Sequence, residues 1–148
     1  MAIALAKSKE ISPARLAAFN ILQQVETGAF SSVLLAAAEH ELQPADRALC
    51  HELVLGVLRR QLYLDKIVEH FSKRGVERLD AAVRIALRLG LYQLRFLTRI
   101  PPSAAVNESV GLVRVARLSS ATAFVNGVLR RVIREAEFDP AAEVSDRI

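Results

Sequence analysis

Four arginines, Arg84, Arg88, Arg95 and Arg99, recur at spacings that place them within an arc of about 60° when residues are set at 100° intervals around a helix. Such a row of guanidinium groups can neutralise successive phosphates, releasing the counterions condensed on a nucleic acid and making binding steeply salt-dependent. The competing reading is a row that is solvated, or paired with carboxylates such as Asp80 and Glu108, because charges on helix surfaces usually have no special role. The residues alone favour neither reading. A second cluster, Arg130, Arg131 and Arg134, stands opposite Val125, Leu129 and Val132 near the end of another apolar-periodic stretch. Cations there also complement a helix dipole, so the cluster gains functional weight mainly if folding sets it beside the first row.

Other polar groups offer less. Asn107 and Asn126 each follow a valine inside an apolar stretch, AAVNE and AFVNG, where asparagine is a poor helix former and needs partners if buried. Their expected role is to fix helix packing or connections rather than to bind substrate. His51–Glu52 begins like a zinc-protease helix, but Leu55 stands where the second ligand would be, and His40 and His70 lack nearby Cys or Asp ligands. No metal site is expected. Cys50, the single cysteine, lies in the apolar run ALCHELVLGVL and reads as a reduced thiol used for packing rather than as a nucleophile. The glycines make neither a P-loop nor a dinucleotide fingerprint. The aromatic residues stand mostly at core spacing, which argues against a stacking platform for single strands.

Helices must position these residues. Ser12 as N-cap with Pro13 behind it opens a first helix, whose stripe of Leu16, Phe19, Ile21, Leu22 and Val25 ends at Gly28. A short Ala-rich helix begins near Ser31 or Ser32 and stops before Pro44. A third starts at Pro44 or Ala45 and carries apolar positions as far as Phe71, with Gly56 or the Arg60–Gln61 region as the candidate break. The fourth, roughly Leu79 to Leu97, is apolar around most of its circumference and therefore belongs at the centre of the core. Pro101 and Pro102 end it and start another, about Ser103 to Ala116. Ser119 or Ser120 then caps a last helix reaching about Ala136. No β-alternation occurs, so the class is all-α: a compact bundle of about six or seven helices. Residues 1–11 read as an N-terminal extension, 12–136 as the domain, and 137–148 as a tail or the start of a linker.

The totals bound the function. A chain of 148 residues is most simply one domain, and no apolar run approaches the roughly 20 residues that cross a bilayer. The opening MAIALAKSKE has the wrong charge order for a secretory signal, so a cytoplasmic location is expected. The net charge is +4 and unevenly spread: residues 1–72 hold 7 Lys+Arg against 8 Asp+Glu, whereas residues 73–148 hold 13 against 8. The basic half is nearly all arginine, whose planar fork suits phosphate better than lysine does. A polyanion is the implied partner.

The stretches GLYQL, RIPPSAAVNESV and FVNGVLRR, all between Leu87 and Arg131, resemble the helical domain shared by the transcription factor NusB and the amino-terminal part of RsmB-type (Sun/Fmu) ribosomal RNA methyltransferases. RLAAFNILQQVETGAFSSVLL and DRALCHELVLGVLRRQLYLDKIV are similar to the methyltransferase pattern. So is the double arginine ending FVNGVLRR, where NusB commonly has an acidic residue after the leucine. The resemblance implies a NusB-like bundle that binds ribosomal RNA, covalently linked in its parent enzyme to a domain that methylates carbon 5 of a cytosine with S-adenosylmethionine. It implies that this chain is not itself the enzyme and holds no cofactor. The parent's nucleophilic cysteine sits in a Pro-Cys or Thr-Cys setting, and here the cysteine is Leu-Cys. In this first reading, Arg84, Arg88, Arg95, Arg99, Arg130, Arg131 and Arg134 are the RNA contacts. The alternative implied by the same resemblance is a NusB-like antitermination factor that binds RNA together with a small ribosomal protein.

Overall fold

A computed structural model of the chain describes residues 11–140; residues 1–10 and 141–148, which hold nearly all of the expected N-terminal extension and most of the expected tail, lie outside the described residues. Seven α-helices succeed one another: α1 (Pro13–Glu26), α2 (Ser31–Glu39), α3 (Pro44–Arg59), α4 (Gln61–Ser72), α5 (Ala81–Phe96), α6 (Pro102–Val115) and α7 (Thr122–Arg134). Short 3-10 turns at Val76–Arg78 and Ser119–Ala121 precede α5 and α7, and there is no strand among the described residues.

Local chemistry accounts for the start of α1. The Ser12 side chain accepts a hydrogen bond from the Arg15 backbone N–H, and Pro13 occupies the first helical position, where a missing N–H costs nothing. The apolar run from Pro44 to Phe71 breaks at Arg60, whose guanidinium lies 4.6 Å from the centre of the Phe96 ring. At the far end of the chain the expected serine cap is absent. Ser119 and Ser120 form the 3-10 turn instead, and Thr122 Oγ1 donates to the Ser119 carbonyl at 2.8 Å.

Helix α5 is the axis of the bundle, with α1, α3, α4, α6 and α7 packed around it. Its side chains from Ile85 to Tyr92 are all buried, including the polar Arg88. Two glycines make the close crossings possible. A Cβ on Gly90 would lie 2.6 Å from Ser109 Oγ on α6 and 2.8 Å from Leu129 Cδ1 on α7. A Cβ on Gly56 of α3 would run into the Tyr92 ring of α5. Both positions need hydrogen in place of a side chain, because close-packed interiors have no room to give.

Candidate nucleic-acid interface

With α5 surrounded by neighbouring helices, a charged row on it must meet partners inside the molecule. Arg88 is 5% exposed and donates through all three nitrogen atoms: Nε to Asp65 Oδ1 at 2.7 Å, Nη2 to Asp65 Oδ2 at 3.0 Å and Nη1 to Glu26 Oε2 at 3.2 Å. Arg84, one turn earlier, grips the same Glu26 with Nε at 2.8 Å and Nη2 at 2.5 Å, and gives Nη1 to the Leu79 carbonyl. Each guanidinium therefore has bonded contacts in the fold, made through the bidentate geometry that only arginine provides. The carboxylates are Glu26 and Asp65, not the Asp80 and Glu108 suggested by sequence. Glu108 serves Arg15 instead, accepting from its Nη1 at 3.0 Å, while Arg15 Nε donates to the buried Gln93 at 2.7 Å. That network ties α1, α5 and α6 together.

Hydrogen bonds from Arg84, reinforced by the charges of Arg84 and Arg88, hold the Glu26 carboxyl below its ordinary value of 4.5 against the opposing effect of burial. A carboxyl whose pKa is depressed on folding contributes stability above the unfolded-state value and loses it as pH falls through the folded value. Thermal melts should therefore show a Tm that drops below about pH 4.5. Glu26→Gln should flatten that part of the profile, and an unchanged acid limb would show that the Glu26 network does not contribute to it.

The remaining members of the first row are also engaged. Arg95 donates to Tyr63 Oη at 3.1 Å and to the Phe138 carbonyl at 2.7 Å, and Arg99, well exposed, reaches Glu52 at 3.3 Å. From the second cluster, Arg131 donates to the Phe71 carbonyl at 2.9 Å and lies over the Phe71 ring. His70 stacks on Phe138 with ring centres 3.6 Å apart, and Phe71 meets both edge-on. Folding thus brings Arg95 and Arg131 to one aromatic cluster, where both are committed to backbone carbonyls. His40 follows the end of α2 and His51 is exposed on α3. Cys50 is buried, and burial pushes its thiol up to about 11.

Free cationic surface lies along the exposed faces of α6 and α7. A groove between α6 and α7 is lined by Asn107, Val110, Gly111, Arg114, Thr122, Ala123 and Asn126. Asn107 and Arg114 are seven residues apart and share one face of α6. Asn126, Arg130 and Arg134 rise along α7 at four-residue steps. Arg130 Nε donates to Asn126 Oδ1 at 3.1 Å, and its terminal nitrogens have no hydrogen bond among the described residues. Arg114 and Arg134 are exposed and have no ion pair or hydrogen bond among the described residues. Arg117 is exposed too, and holds a left-handed backbone (φ 64°) just past α6. Leu118 N–H bonds the Val113 carbonyl there and Arg117 N–H the Arg114 carbonyl, a helix-ending motif that favours glycine.

The two asparagines do not fix buried packing as expected: Asn107 is exposed and Asn126 half-buried. The preceding valines, Val106 and Val125, are both fully buried. One residue further turns the side chain by 100°, which carries each asparagine out of the core. Arg114 and Arg117 were missed as candidates because they follow apolar residues singly, whereas the row on α5 looked like a pattern. The i, i+7 relation of Asn107 to Arg114 was the available signal.

The model of the NusB family matches residues 12–134. The chain is 41% identical over 127 residues to a probable ribosomal RNA small subunit methyltransferase B of Synechocystis sp., covering 84% of this chain and 28% of that protein. It is 37% identical over 128 residues to ribosomal RNA small subunit methyltransferase B of Cronobacter sakazakii, covering 86% and 29%. The chain thus spans less than a third of the length of these curated relatives. A solved complex of the antitermination factors NusB and NusE with double-stranded RNA contains a similar fold, with a TM-score of 0.73 and 29% identity, covering 82% of this chain and 93% of that one.

Proposed function

Since this chain belongs to the NusB family, we propose that it is a non-catalytic RNA-binding module that positions small-subunit ribosomal RNA for an RsmB-type methyltransferase domain. In that parent, S-adenosylmethionine would supply the methyl group for cytosine carbon 5 outside this module. The observation that carries the reading is the α6–α7 face, where Arg114, Arg130 and Arg134 stand exposed with no carboxylate in ion-pair reach among the described residues. Arginines so placed meet phosphates without first giving up an internal partner. Arg84 and Arg88 act in this reading through the fold, and Arg95, Arg99 and Arg131 at most at its margin. The relatives support the ribosomal target, and the buried Leu-Cys thiol of Cys50 fits chemistry performed elsewhere.

A second reading is favoured by the structural likeness to NusB in its complex with NusE and RNA: an antitermination factor that acts with a small ribosomal protein. The two part on partner choice. The chain is expected to bind small-subunit ribosomal RNA fragments in fluorescence anisotropy and to elute apart from NusE in size-exclusion chromatography. A stoichiometric complex with NusE that forms without RNA would favour the second reading.

A further inference from the structure

We propose that the α6–α7 groove reads an unpaired RNA base through the carboxamides of Asn107 and Asn126, with Arg114 and Arg130 holding the flanking phosphates. The proposal rests on the RNA-binding reading above and adds base selection to it. The Asn107 carboxamide makes no hydrogen bond within the described residues, and Asn126 uses only its oxygen, toward Arg130, so its Nδ2 amide is free to donate. Two carboxamides on facing helices of one groove present a mixed set of donors and acceptors. That pattern matches the edge of a base rather than a phosphate, which only accepts. In an A-form duplex the major-groove base edges lie too deep for short asparagine side chains and the shallow minor groove is recognised mostly by shape, so a base read by these carboxamides is one delivered unpaired.

Gly127 points the same way. It lies exposed within α7 beside the groove, next to Asn126 and one turn from Ala123 of the groove lining, and a Cβ there would meet nothing within 4 Å. Packing therefore does not demand glycine, which is a poorer helix former than alanine. A nucleotide backbone lying close against α7 would explain why glycine stands there.

The test uses short RNA homopolymers of each base, with anisotropy read at several salt concentrations. The wild-type chain is expected to prefer one base by about tenfold, the discrimination of one good bidentate pair. Asn107→Ala and Asn126→Ala should bring the preference within about twofold while the dependence on salt persists, since the cations remain. Gly127→Ala should raise Tm and weaken binding of the preferred homopolymer. Salt-sensitive binding with no base preference, a preference that survives both asparagine variants, or a Gly127→Ala protein that binds as tightly as wild type would overturn the base-reading groove alone. Failure to bind any RNA at low salt would overturn the RNA-binding reading along with it.

Discussion

Replacing Arg88 with methionine is expected to destabilise the protein by about 2–4 kcal/mol, lowering Tm by about 5–12 °C. The substitution keeps the apolar stem but strands Asp65, 15% exposed at its side chain, and takes one donor from Glu26, 25% exposed. Removing one member of a buried ion network costs more than the network contributes, because the carboxylates left behind have surrendered water. Partial rehydration of Glu26 and Asp65 sets the effect at the lower part of the usual range. Lysine at position 88 should recover only part of the loss, since an ammonium cannot span both Asp65 oxygens. RNA affinity, measured at a temperature where the variant stays folded, should remain within about twofold of wild type if Arg88 contributes no phosphate contact. Unaltered stability with a large loss of RNA affinity would return Arg88 to the binding surface.

The opposite pattern is expected on the α6–α7 face. Arg114 and Arg130 are exposed, and among the described residues the one side-chain bond at stake is that from Arg130 to Asn126. Arg114→Ala with Arg130→Ala should therefore leave Tm nearly unchanged. Each phosphate contact releases counterions from single-stranded RNA, so at about 0.1 M salt it contributes roughly 1 kcal/mol. Losing two contacts should weaken RNA binding by about 10- to 30-fold. A weakening of that size with no change in unfolding separates contact from scaffold, since a structural role would register in both measurements.

These two expectations mark how far the sequence was legible. Helix α1 could be read from Ser12, Pro13 and the stripe through Leu22, and the central place of α5 from apolar residues around nearly its whole circumference. Both follow from local periodicity and capping. The same description of α5 carried a warning about its arginines, because a helix with no solvent face has to give its charges internal partners. Those partners, Glu26 and Asp65, stand 62 and 23 residues away from Arg88 along the chain and meet it only through tertiary packing. The asparagines failed for a local reason. Each follows a valine that takes the core position, and a single residue step decides which side of the helix faces in. Of the two candidate breaks in the long apolar run, Gly56 and the Arg60–Gln61 region, the chain breaks at Arg60, and the contact with Phe96 that accompanies the break comes from another helix and is not legible locally.

The central claim is that RNA meets the exposed arginines of α6 and α7 while the internally bonded arginines of α5, Arg84 and the buried Arg88, hold the bundle together. A salt titration of RNA binding tests it most directly, comparing wild type with the Arg114→Ala/Arg130→Ala variant. Contacts from Arg114, Arg130 and Arg134 predict a log–log slope of about −2 for wild type and about −0.7 for the variant on single-stranded RNA. A flat wild-type titration, or a slope that the two substitutions leave untouched, would contradict the account.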